Sequence, residues 1–308
     1  MSNEHYHNHH HHDHNHGAHG KSLVISIILN VGITVAQIIG GLISGSVALL
    51  SDAAHNFSDV LALLFSYIAR RLSGRNRTLK QTFGYKRAGI FAAFINSATL
   101  MIVATFLVHE AIDRLIHPKP IEGVIVIWLA ALGIILNGIS ALLVKNGAKN
   151  DLNMRSAYIH LFTDMLTSIG VLFGGFAITY LDWFWVDGLL TIVIAIYLIY
   201  SSWAIFYDSL RIFMQFTPTE INIEEIAVRM AAIEGVKNIH HVHVWNLDDH
   251  EMMFEAHLDL QSDFTISHFE SILEKVDEVL DQYNIHHFNI QPEYARNDEK
   301  SLINNQDH

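Results

Sequence analysis

The sequence predicts a polytopic α-helical membrane protein with six transmembrane helices and a separate α+β domain at its C-terminal end. Three observations predict this. Hydrophobic residues make up 51% of the 308 positions and charged residues only 16%, whereas soluble domains carry about 25% charged. Apolar stretches of ~20 residues, enough for a helix to cross the hydrocarbon core, recur over the first two thirds of the chain. The acidity lies beyond them: residues 217–308 hold 19 Asp plus Glu against 5 Lys plus Arg.

Taken in order, residues 1–20 carry nine of the 22 histidines, in "HYHNHHHHDHNHGAHG". A run broken by Asn and Asp is unlike an engineered affinity tag. It reads as a disordered cytosolic tail that collects metal weakly and forms no packed core. Residues 21–210 form the transmembrane domain, with spans at 22–44, 47–69, 88–110, 121–144, 156–180 and 186–207. The links "SGS" and "LDWFW" are short enough to make helical hairpins.

Orientation follows the Lys/Arg bias of the loops. The loop "RRLSGRNRTLKQTFGYKR", 70–87, has seven basic residues, and Lys145, Lys149 and Arg155 mark the next loop on the same side. The opposite loops are poor in them. Both termini are therefore expected in the cytoplasm, with Trp183 and Trp185 in the interfacial belt opposite. No cleavable signal peptide is expected, because the start is polar and histidine-rich.

Residues 211–293 change character. "NIEE" at 222–225 is a capping box that opens a helix. "NIHHVHVWNL" and "MMFEAHLDL" read as two strands, with Phe254, Ala256, Leu258 and Leu260 alternating inward. A second helix presents Ile266, Phe269, Leu273, Val276 and Leu280 on one face, and "HFNIQ" closes as a third strand. Residues 294–308 read as a disordered tail. The formal charge of −12 argues against a nucleic-acid partner.

The chemistry lies where charge is most expensive. "LLSDAAHNFSDVLALLF" sets His55 and Asp59 at i and i+4 within an apolar span, and "AYIHLFTDMLTSIG" repeats the spacing with His160 and Asp164. Residues four apart share a helix face. A lone buried His or Asp is as readily a hydrogen-bonded structural group. Two matching pairs in separate spans point to metal, since intramembrane carboxylates mark functional pathways. Two imidazoles and two carboxylates suit tetrahedral zinc, and the chain has no cysteine to offer. No H-E-x-x-H run occurs, so an intramembrane metallohydrolase lacks its base and no enzyme is expected. Asn30, Gln37, Asn96 and Asn137 are expected to hydrogen-bond between helices, and the pairs Gly41/Gly45 and Gly170/Gly174 to pack them.

Together "SDAAHNFSDVLALL", "FGYKRAGIFAAFIN", "HLFTDMLTSIGVL" and "VHVWNL" resemble the cation diffusion facilitator family, in particular its bacterial cobalt–zinc–cadmium resistance branch. The resemblance covers about residues 20–293. It implies a six-helix membrane domain followed by a ferredoxin-like cytosolic metal-sensing domain, acting as a homodimer in the cytoplasmic membrane. The implied activity is export of zinc, with cadmium or cobalt as further cargo, in exchange for protons. It carries the transport ligands onto His55, Asp59, His160 and Asp164, and in the family His at the first of these goes with preference for zinc over cadmium. Some members hold a further site between spans two and three; loop 70–87 has no His, Asp or Glu, so that site is expected to be absent.

In the C-terminal domain, His240, His241, His243, His257, His286 and His287 read individually as solvated strand residues. The resemblance instead implies a zinc site of His240, His257, His286 and Glu293. Asn289 and Gln291 stand where other relatives place a His and an Asp, which favours one site per protomer. An uncoupled metal channel and a non-transporting membrane sensor remain as alternatives; counterflow of protons separates the channel from an exporter, and the intramembrane quartet argues against the sensor.

Overall fold

The computed structural model describes residues 16–74, 76–145, 152–249, 251–297 and 299–303. Six long helices come first: α1 His16–Ser44, α2 Val47–Ser73, α3 Ala88–Ile116, α4 Gly123–Val144, α5 Leu152–Leu181 and α6 Trp185–Phe213. Five, α2 to α6, are long and apolar enough to cross a membrane, while the described apolar part of α1 is the shorter Ile28–Ser44. The protein thus has a polytopic α-helical membrane region.

Several helices outrun their predicted spans. α3 and α6 continue to Ile116 and Phe213. Hydropathy counts only the apolar length, and a helix goes on where polar residues support it. Arg114 and Glu110, one turn apart, do so in α3 with Nε 2.9 Å from Oε1. α1 begins at His16, so residues 16–20 are helical rather than part of the expected tail. Residues 1–15 lie outside the described residues.

Two compact units divide the chain, residues 1–61 with 99–201 and residues 62–98 with 202–308. In the first, Leu49, Val126, Val171, Ile178, Ala195 and Leu198 form a buried apolar core. Glycine lets α4 and α5 approach closely: a Cβ at Gly133 would lie 2.9 Å from Ser168 Oγ, and one at Gly175 2.9 Å from Ile127 Cγ1. The predicted glycine pairs divide. Gly41 faces Leu50 and Gly174 faces Leu190, whereas a Cβ at Gly170 would meet nothing within 4 Å. Gly45 makes the α1–α2 turn with φ +71, a conformation that costs a residue with a Cβ.

Asp187 of α6 sets the start of α2. Its carboxylate accepts from Ser46 Oγ at 2.5 Å and from the Val47 backbone N–H at 2.8 Å. It satisfies otherwise orphaned N–H groups and puts negative charge at the positive helix end. This anchor positions the helix that carries His55 and Asp59.

The second unit contains the α+β domain, with α7 Ile223–Ala231, β1 Val236–Asn246, β2 Met252–Leu260, α8 Ile266–Asp281 and β3 His287–Glu293. Asn222 caps α7 by accepting from Glu225 N at 3.2 Å, as the capping box predicts. The sheet order is β1-β2-β3, with β1 antiparallel to β2 and β2 parallel to β3. A parallel pair needs a crossover, which α8 supplies. Phe254, Ala256, Leu258 and Leu260 are buried as their alternation predicts. The predicted inward face of α8 largely holds: Val276 and Leu280 are buried, Phe269 and Leu273 pack against the core, Ile272 joins them, and only Ile266, at the helix entrance, is exposed.

The segment after β3 is not the disordered tail its composition suggests. His241 N donates to Ser301 O at 3.2 Å and Val242 N to Leu302 O at 2.9 Å, and Leu302 packs against the domain core. Residues 301 and 302 are therefore hydrogen-bonded to the outer edge of β1. Residues 304–308 lie outside the described residues.

Candidate metal centres

α2 and α5 bring the four predicted transport ligands together. One ligand atom each from His55, Asp59, His160 and Asp164 lies within 4.8 Å of the others. The closest pairs cross between helices: His160 Nε2 is 3.1 Å from Asp59 Oδ2, and His55 Nε2 is 3.2 Å from Asp164 Oδ1. The pairs within each helix are looser, at 3.8 Å for His55–Asp59 and 3.5 Å for His160–Asp164. Beyond these pairings, both nitrogens of His55, Asp59 Oδ2 and both oxygens of Asp164 are buried and make no well-aligned hydrogen bond among the described residues. Buried polar atoms are normally satisfied by aligned bonds, and five that converge without one suit a shared ligand better than a packing role. The exposures are graded: the Asp164 side chain is 0% exposed and His55 9%, against 27% for Asp59 and 38% for His160.

Beneath this quartet lies a carboxylate to which the sequence reading gave no role. Asp52 accepts from Gln37 Nε2 at 2.6 Å and Ser168 Oγ at 3.3 Å, and Asn56 Nδ2 donates to Gln37 Oε1 at 2.9 Å. Gln37 thus makes the interhelical bond expected of it, whereas Asn137 Nδ2 is buried with no partner among the described residues. The signal for Asp52 was its place one turn before His55, on the same helical face.

A second cluster forms in the α+β domain. His240, His257 and Glu293 each bring a ligand atom within 4.8 Å of the others. His240 pairs with His257 across β1 and β2, and Glu293 arrives at the end of β3. His257 Nδ1 is 2.9 Å and His240 Nε2 3.3 Å from Glu293. A bulge lies between His240 and His243, where His241 takes φ +52. His286, expected here, stands apart. It precedes β3 and lies 3.1 Å from Asp281 at the end of α8, so the strand that delivers Glu293 leaves it behind. Asp259 lies nearer, its Oδ2 3.8 Å from His240 Nδ1. The signal for it was the His257-x-Asp259 spacing, which puts both side chains on one face of a strand.

A cation already sits among these donors. Lys300 Nζ is 2.9 Å from both Asp259 Oδ1 and Glu293 Oε2, and 3.4 Å from His240 Nε2. Donors of this kind, gathered around positive charge, fit a single zinc ion.

Residues 23–214 match the model of the cation efflux transmembrane domain, and residues 218–295 that of the cation efflux protein cytoplasmic domain. The chain belongs to the cation efflux family, the cation diffusion facilitators. It is a multi-pass membrane protein whose α+β domain is cytoplasmic. This cation efflux chain is 35% identical over 290 residues to the cadmium, cobalt and zinc/H(+)-K(+) antiporter of Bacillus subtilis, covering 93% of each protein. It is 33% identical to the zinc transporter ZitB of Escherichia coli, over 94% of this chain and 92% of the relative. To the metal cation efflux system protein CzcD of Cupriavidus metallidurans it is 32% identical, over 91% of this chain and 88% of the relative.

Proposed function

We propose that this chain is a proton-coupled exporter of zinc across the cytoplasmic membrane. The observation that carries the reading is the convergence of two imidazoles and two carboxylates within 4.8 Å, inside helices otherwise built for lipid. Zinc is cargo at this site. It needs neutral imidazoles and ionised carboxylates, so protons and metal compete for the same lone pairs. Histidine changes charge near physiological pH, which makes that competition reversible. Loading from the cytoplasm releases protons, and reprotonation of His55 and His160 from the far side expels the ion. The names of the relatives, a zinc transporter and a proton-linked antiporter among them, support the reading, with cadmium and cobalt as further cargo.

The proposed transporter has six spans, α1 included, which puts both termini in the cytoplasm, and it works as a homodimer. Its cytoplasmic domain is of ferredoxin-like type and holds one regulatory zinc through His240, His257 and Glu293, with Asp259 beside them. The histidine-rich start serves as a metal collector, and nucleic acid is no partner.

The test is zinc flux in proteoliposomes with an imposed pH gradient. Uptake should follow the gradient, carry protons the other way and vanish in Asp164→Ala, since a single carboxylate leaves a doubly charged ion underbalanced in low dielectric. Wild-type flux from Asp164→Ala, or flux indifferent to a protonophore, would overturn the assignment.

A further inference from the structure

We infer that Lys300 is a built-in competitor for the cytoplasmic zinc site, so that metal enters only by displacing the C-terminal segment from the edge of β1. The inference rests on the site proposed above.

The ammonium occupies the position a metal would take. It lies 2.9 Å from Asp259 Oδ1 and from Glu293 Oε2, and 3.4 Å from His240 Nε2. Zinc takes the same kinds of donor at ~2.0–2.2 Å, so the two cations exclude one another by volume and by charge. Lys300 is also placed, not merely near. Its own carbonyl accepts from Asn238 Nδ2 at 3.4 Å, and the next residues pair with His241 and Val242. Leu302 anchors the segment in the core.

The charges match as well. Glu293 also receives Arg296 Nη1 at 3.0 Å. The same short segment thus supplies two positive charges to Asp259 and Glu293, as many as one zinc ion brings. Without metal, the carboxylates are neutralised by the chain itself. With metal, the lysine is surplus and repelled, and the backbone bonding of residues 301 and 302 to β1 loses the residue that places it.

Such an arrangement weakens zinc affinity, because charge-assisted hydrogen bonds must break before the ion binds. It also turns binding into movement of a defined segment. That is what a sensor requires: a ligand that favours one of two arrangements.

The chain has no cysteine, so Ile303→Cys, at an exposed position, gives one site for a nitroxide on the full-length protein. Zinc should mobilise this label, and His257→Ala should abolish the response. Lys300→Gln should leave the label mobile without zinc. It should also raise retention of zinc against a chelator about tenfold or more, counting the zinc that His257→Ala removes. A label immobile with zinc, or affinity unchanged or lowered in Lys300→Gln, overturns the inference. If His257→Ala still removes one zinc in that case, the site stands and only the competitor is wrong. If His257→Ala removes none, both fall.

Discussion

At the scale of single residues, His55 is expected to set which ion the proposed transport site prefers. Its Nε2 faces Asp164 across the helix boundary, so it supplies one of only two nitrogen donors in the quartet. Replacing nitrogen by carboxylate oxygen adds negative charge and loosens the geometric demand, which favours a larger ion. In His55→Asp the ratio of zinc to cadmium transport should fall about tenfold, ~1.4 kcal/mol in relative barrier. Parallel flux measurements with the two ions check this; an unchanged ratio removes His55 from the ligand set. Asp52 works one layer below. Its bonds to Gln37 and Ser168 tie α2 to α1 and α5 beside the ligands.

At the scale of elements, α2 is held by a cap from another helix. Asp187 receives Ser46 Oγ and the first N–H groups of α2, and such caps contribute ~0.5–2 kcal/mol. Asp187→Ala should lower the unfolding temperature in detergent and slow zinc flux, while Asp187→Asn retains part of both. A melting curve identical to wild type would remove the cap from the account. No sequence pattern announces this bond, because it joins residues 141 positions apart. The helices themselves were legible, since apolar length and i, i+4 spacing are local. So was the quartet, because each half of it lies within one turn. The cytoplasmic site was legible only in part. Which of Asp259 and His286 approaches His240 depends on strand register and on where β3 begins, and neither is written in a local period. The return of residues 300–302 to β1 was hidden for a similar reason. A polar segment pairs through its backbone, which leaves little trace in side-chain composition.

At the scale of the whole molecule, the cytoplasmic domain has its own core, cap and sheet, and residues 217–303 should fold without the membrane helices. A fragment that stops at 293 loses the two backbone bonds to β1, the contact of Leu302, and the Lys300 and Arg296 partners of the buried Asp259 and Glu293. Ordering the segment offsets part of that gain, so the net loss is at least about 1 kcal/mol, which is about 4–8 °C or more in melting temperature. Thermal denaturation of the two fragments in metal-free buffer checks it. Equal melting temperatures would mean that the segment does not pair in solution. Within the unit that contains this domain, the loop before α3 also touches the β1–β2 turn. Lys86 pairs with Glu251, and Arg87 Nε donates to Leu247 O at 3.1 Å. These contacts give a change in the domain a physical link to the start of a membrane helix.

The graded exposure of the quartet bears on hydration. An ion that reaches His160 and Asp59 first trades part of its water shell for an imidazole and a carboxylate, and keeps the remaining waters on its open side. Only the last step, toward His55 and the fully enclosed Asp164, would strip it bare. Zinc accepts four-coordination and favours imidazole nitrogen, so each exchange is compensated as it occurs. Magnesium releases its waters reluctantly and keeps octahedral geometry, so it would gain too little at the outer pair to be held there and would leave with its shell intact. Abundant cytoplasmic magnesium is then refused through the order in which its water would have to leave, and a large excess of it should leave zinc flux in proteoliposomes undiminished.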